Sequence, residues 1–204
     1  MDITQLILDD HHEQRRLFAI LEQVDRSDAG TLGAVWDRLA AFLELHAAAE
    51  EEIFYPALLR VGIQAGRART AEDETLDAIG DHNDIRDAVI AVAGHPAGSD
   101  GWCAAVAAAN LANSDHMGEE EREGLTDFRR LASLQLRHDL AVAFAAYEAK
   151  HYAGVPPVDK DPREYVREEE ERQGLLDERV PEGESADGGG SADGSLSIGS
   201  LRMP

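Results

Sequence analysis

Apolar side chains recur along the chain at mixed three- and four-residue intervals, the stripe of an amphipathic helix. Residues 3–26 carry Ile3, Leu6, Ile7, Phe18, Leu21 and Val24 in this way, and Ser27-Asp28-Ala29-Gly30-Thr31 then supplies a turn and a cap. The period returns over about 31–61 with Val35, Leu39, Phe42, Leu43, Phe54 and Leu58. Pro56 is compatible there only with a kink or an early end, because it has no N–H to give. Residues 62–70 read as a loop. A third pattern runs from Ala71 to about Gly94 through Leu76, Ile79, Ile85, Val89 and Val92, and it closes on His95-Pro96-Ala97-Gly98. A fourth extends from Trp102 to about Leu125, and a fifth, rich in Leu and Ala, covers about 127–152 before Gly154-Val155-Pro156-Pro157. The pattern predicts an all-α chain.

After Pro157 the residues become charged, including Glu168-Glu169-Glu170-Glu171, and then Gly- and Ser-rich from Ser185 to Gly194. Such a stretch buries too little apolar area to offset chain entropy, so 158–194 is expected to be a flexible linker. Leu196, Ile198 and Leu201 then bring large aliphatics back at the end of the chain.

Composition agrees with helices. Hydrophobic residues are 43% of the 204 but aromatics only 5%, and abundant alanine with few β-branched residues favours packed helices over sheets. The length suits one domain plus a tail. The 41 acidic residues outnumber 19 basic ones for a formal net charge of -22, which argues against nucleic-acid backbones and anionic membrane surfaces as partners. Cys103 is alone, so neither an internal disulfide nor a thiolate metal motif can form, and a reducing, cytoplasmic setting is expected. The N-terminus lacks a signal-peptide pattern, and no window approaches the roughly 18 apolar residues of a membrane span.

The histidines carry the candidate chemistry. His46 and Glu50 stand four apart, as do His116 and Glu120, so each pair shares a helical face. Asp10-His11 precedes His46 by 35 residues, and Asp81-His82 precedes His116 by 34. The unit is therefore His followed by His-x-x-x-Glu, twice. From His11 about 15 residues lead to the first turn, and 15 lead back from Thr31 to His46; the second half repeats this around the 96–98 turn. Antiparallel neighbours then bring all six side chains to one level of a four-helix bundle. A lone His/Glu pair on an exposed helix is a weak ion pair worth a few tenths of a kcal/mol, but six positions in register form the donor set of iron, manganese or zinc, and two carboxylates suggest two metals.

Asp10-His11 with Leu17-Phe18, His46 through Pro56, Asp81-His82 with Ile85, and His116-Met117-Gly118-Glu119-Glu120-Glu121 resemble the hemerythrin-like, or HHE cation-binding, domain over about residues 3–130. The resemblance implies an up-down four-helix bundle over 1–130, extended by a C-terminal helix over 131–157. It implies a non-haem centre of two iron ions, oxo- or hydroxo-bridged, with His11, His46, Glu50, His82, His116 and Glu120 as ligands. Dioxygen, nitric oxide or peroxide would bind there, protecting against oxidative and nitrosative stress. Oxygen carriers of this kind use a fifth histidine one turn from the third-helix ligand, where this chain has Ala78 and Arg86. That departure moves the expectation from reversible carriage toward a peroxidase, catalase or ferroxidase; a structural metal without turnover is the third reading. Glu119 and Glu123 are weighed as extra donors and read as solvated. His12 is expected to face solvent, His95 to lie in a turn, and His138 and His151 to be packed or exposed. Trp36 and Trp102 read as end-of-bundle packing and Tyr55 as core.

Residues 194–202, Gly-Ser-Leu-Ser-Ile-Gly-Ser-Leu-Arg, resemble the cargo-loading peptide that docks proteins inside encapsulin nanocompartments. The resemblance implies an encapsulin shell as partner and a place inside it. By that resemblance residues 195–204 would form the docking peptide, with Leu196, Ile198 and Leu201 as anchors and Gly199 at a bend. A homodimer through the fifth helix is an assembly the sequence leaves open.

Overall fold

The computed structural model describes residues 1–176, and its secondary structure is helical throughout. The elements are α1 Ile3–Gln23, α2 Ala29–Ala49, a π-helical turn Glu50–Phe54, α3 Tyr55–Gln64, α4 Ala68–Val92, α5 Asp100–Arg122, α6 Gly124–Leu131, α7 Leu134–His151 and α8 Pro162–Gln173. Caps set many of the starts. The side chains of Asp2, Asp28, Ser99, Ser133 and Asp161 each accept a hydrogen bond from a first-turn backbone N–H.

α1 pairs with α2, and α4 with α5, as two antiparallel hairpins that form the bundle. Their turns meet at one end. Gly98 sits at φ 82°, and a Cβ there would lie 2.1 Å from the Arg26 carbonyl oxygen, so only glycine lets the two turns touch.

The core is in two parts. At the turn end, Leu17, Phe18, Leu32, Trp36, Leu39, Val92 and Trp102 pack together, with the indoles of Trp36 and Trp102 at 6.3 Å, as the sequence predicts. At the opposite end, Ile3, Ile7, Phe54, Tyr55, Leu58, Ile79, Leu125, Phe128 and Phe144 form the second part. On each of α1, α2 and α4 a histidine stands between the residues given to one part and those given to the other, and on α5 His116 follows the turn-end residues Trp102, Val106 and Ala109 and precedes Leu125 of the second part on α6. A polar layer therefore crosses an otherwise apolar bundle.

Several boundaries differ from the expectation. Pro56 neither ends nor sharply breaks the second helix. It has no N–H for the carbonyl four residues back, so the backbone widens into the π turn, where Tyr55 N–H bonds to the Glu50 carbonyl, and α3 continues to Gln64. The expected loop over 62–70 shrinks to 65–67, with Gly66 at φ 72°. The expected fifth helix over 127–152 is two, because Ala132 turns extended and Ser133 caps α7 anew. The largest correction concerns 158–194. Pro162 opens α8 and Gly174 closes it in the left-handed conformation, and Tyr165, Val166 and Leu175 are buried. Two apolar side chains on this short helix and one just past its cap accompany its docking on α3 and α4; average composition concealed them. The rest of that segment, and Leu196, Ile198, Gly199 and Leu201, lie outside the described residues. Among the described residues no helix is long and apolar enough to cross a membrane.

Candidate metal centre

The polar layer holds His11 on α1, His46 on α2, Glu50 at the head of the π turn, His82 on α4, and His116 and Glu120 on α5. All are buried, from 0% exposed for His11 and Glu50 to 6% for Glu120. Donor atoms of His11, His46 and Glu50 lie within 4.8 Å of one another, as do those of Glu50, His82 and His116. Glu50 belongs to both groups, its two oxygens 3.0 Å from His46 Nε2 and 3.4 Å from His82 Nε2. Glu120 belongs to neither triple, but its Oε2 is 3.3 Å from His11 Nε2. His82 Nε2 and His116 Nε2 stand 3.2 Å apart.

Each imidazole is held from behind by a carboxylate. His11 Nδ1 meets Glu121 at 2.9 Å, His46 Nδ1 meets Asp10 at 3.1 Å, His82 Nδ1 meets Glu51 at 2.8 Å, and His116 Nδ1 meets Asp81 at 3.4 Å. Each of these carboxylates is the chain neighbour of a candidate ligand on another helix: Asp10 of His11, Glu51 of Glu50, Asp81 of His82, Glu121 of Glu120. A carboxylate can only accept, so Nδ1 keeps its hydrogen and Nε2 is the nitrogen turned to the bundle axis, where a cation would take its lone pair. The Asp-His and Glu-Glu steps were visible in the sequence; what they hold depends on which helices face each other.

Around Glu51 the outer shell is densest. Glu51 is 2% exposed and also accepts from Arg86 Nη2 at 2.9 Å and Lys160 Nζ at 2.7 Å, while its backbone carbonyl accepts from the Tyr165 hydroxyl. Arg86, at a position where a carrier's fifth histidine would stand, is buried and also bonds Glu44 at 2.9 Å. Tyr55 is core, as expected, but it does more: its hydroxyl donates to Glu120 Oε1 at 2.8 Å. Among the remaining candidates, His12, His95, His138, Glu119 and Glu123 are exposed, and His151 Nδ1 donates to the Tyr147 carbonyl.

The electrostatics favour positive charge in the cage. Burial lowers His82, yet Glu50 and Glu51 raise it to about 9. Burial likewise lowers His46, and Glu50 and Asp10 carry it well above its ordinary value. Burial pushes Glu50 up, but His46 and His82 hold it well below the usual carboxylate range. His11 Nε2, His46 Nε2, both Glu50 oxygens and Glu120 Oε2 are buried and make no well-aligned hydrogen bond, facing only one another and His82 at 3.0–3.4 Å. Buried carboxylates whose only partners are poorly aligned imidazoles are incompletely compensated for the loss of water. A cation on the axis would supply that compensation, and mixed imidazole and carboxylate donors suit iron, manganese or zinc. The residues present fit such ions.

A helical bundle with this buried His/Glu layer is a cation-binding protein in its architecture and donor set. The family model of the hemerythrin HHE cation binding domain matches residues 2–138, and the chain belongs to that family. Domains of this type bind metal cations, typically iron. No curated protein and no solved structure matches the chain.

Proposed function

We propose that the chain is a non-haem di-iron protein that reduces or binds peroxide, dioxygen or nitric oxide, acting as cargo of an encapsulin nanocompartment. The observation that carries this reading is the set of five buried donor atoms that converge without a well-aligned hydrogen bond. His11, His46, Glu50, His82, His116 and Glu120 would hold the ions, with Glu50 common to both donor groups. Two iron ions there would supply the two electrons that, with two protons from solvent, split a peroxide ROOH to ROH and water.

The chain's own part is positional. Asp10, Glu51, Asp81 and Glu121 fix which imidazole nitrogen faces inward, a support that typically matters 10–100-fold in metal affinity or activity. Tyr55 keeps its proton, since burial and the Glu120 charge raise it well above a tyrosine's ordinary value, and it holds Glu120 through that hydroxyl. Four histidines and two glutamates shared by two ions would leave positions open for a small molecule, which would favour turnover over carriage.

Stopped-flow mixing of the reduced, iron-loaded chain with oxygen and with peroxide tests the chemistry. Fast peroxide consumption is expected; a lasting oxygen adduct supports carriage instead, and no reaction leaves a structural metal. The cargo reading rests on the sequence of residues 194–202. Deleting 195–204 is expected to leave iron content intact and abolish co-purification with the shell, and unchanged packaging refutes it.

A further inference from the structure

We infer that the seam between α2 and α4 is a binding channel for the hydrocarbon part of an organic hydroperoxide, with the peroxide end at His46, His82 and His116. The inference rests on the peroxide reading above and names its substrate class. A cavity of about 180 Å³ lies in this seam and reaches all three histidines. Its α2 wall is built largely from Ala40, Ala41, Leu43 and Ala47, and its α4 wall includes Ile85, Val89 and Ile90. Ile90 is 60% exposed at the seam, an apolar residue left facing solvent where the channel has its outer edge.

Size decides against dioxygen or hydrogen peroxide as the only occupant. A water-sized molecule takes about 30 Å³, whereas a dry apolar cavity of about 150 Å³ holds benzene. The volume is also below the roughly 300 Å³ at which drug-sized clefts begin. A compact alkyl or aryl group fits between these limits.

Charge decides against an anionic substrate. Arg86 borders the cavity, but its guanidinium is bound by Glu44 and Glu51, and Lys160 is likewise bound to Glu51. No cation in this wall is left to receive a carboxylate or phosphate. Val155 and Pro157 close the outer side, and Asn83 ties their segment to α4 through two hydrogen bonds with the Lys160 backbone, at 2.7 and 3.1 Å. The channel thus has an apolar body, a fixed roof and imidazoles at its inner end.

The test uses the full-length, iron-loaded chain with cumyl alcohol, an unreactive shape-match of cumene hydroperoxide, in calorimetric titration. One molecule per chain is expected to bind, and Ala40→Phe or Val89→Phe, each filling the channel from one wall, is expected to weaken binding at least tenfold. The ratio of the single-turnover rate constants of the reduced, iron-loaded chain with cumene hydroperoxide and with hydrogen peroxide should fall at least tenfold in the same variants. Iron content and circular dichroism identify a variant that fails to fold, and the other then decides. No binding to the native chain, or binding unchanged in a folded variant, overturns the channel. Binding without consumption of either peroxide would retain the channel as a site and overturn the peroxide chemistry instead.

Discussion

Replacing Glu51 by Gln isolates the outer shell, because the substitution keeps shape and removes one charge. Glu51 is 2% exposed and faces His82 at 2.8 Å, Arg86 at 2.9 Å and Lys160 at 2.7 Å. Burial raises its carboxyl, but His82, Arg86 and Lys160 outweigh burial and hold it at about 2 against an ordinary 4.5. At about 1.4 kcal/mol per pKa unit, that depression corresponds to about 3 kcal/mol, in line with the 3–5 kcal/mol lost when one partner of a buried pair is removed. Lys160 is 35% exposed and can turn to water, and Arg86 keeps Glu44, so about 2–3 kcal/mol is the expected loss. A folded-state value below the unfolded one gives stability that is full above pH 4.5 and fades as pH falls toward 2. Urea unfolding of the metal-free full chain, native and Glu51→Gln, is expected to show this gap at pH 7 and a narrower one at pH 3.5. Metal affinity measured against a chelator is expected to fall about 10–100-fold, since His82 loses its support. A stability change under 0.5 kcal/mol together with unchanged affinity would refute the role given to Glu51.

Other substitutions separate the parts of the structure. Tyr55→Phe strands Glu120 Oε1 in the core and should cost the metal-free chain about 1–3 kcal/mol by urea unfolding; an unchanged midpoint would show that this hydrogen bond does not support Glu120. Leu39→Ala, at a position 0% exposed in the turn-end core, should cost about 2–5 kcal/mol with metal content unchanged, and loss of metal would contradict the separation of core from site. Glu74 is pushed up to about 7 by burial, with Asp127 and Glu123 adding to it. Because its folded value is raised, its protonated form supports the fold below pH 4.5, and that support is lost as pH rises through 7. Glu74→Gln should therefore stabilise the chain by about 1–2 kcal/mol at pH 8 and little at pH 5; the opposite order would refute the assignment.

The level of the site was legible because equal distances from His11 and His46 to one turn, repeated for His82 and His116, translate directly into equal heights on paired helices. What those histidines lean on was not. Asp10 serves His46 rather than its neighbour His11, and Glu51 serves His82 across the bundle; such pairings follow from helix facing, which spacing within one helix does not encode. Arg86 showed only as a departure from a carrier's ligand pattern, yet its charge joins Glu44 to Glu51. Pro56 announced a perturbation without its form, since a kink, a stop and a π turn all satisfy a missing N–H. α8 escaped because a few apolar residues, Tyr165, Val166 and Leu175, dock a segment whose remaining residues are mostly charged or polar.

The central claim is that four histidines and two glutamates hold a pair of iron ions on the bundle axis. Iron content and Mössbauer spectra of the anaerobically loaded full chain, beside the double variant His46→Ala/His116→Ala, test it most directly. Two iron ions per chain, magnetically coupled once oxidised, are expected in the native protein, with iron loading abolished in the variant. Two iron ions retained in the variant with an unchanged spectrum would contradict the claim.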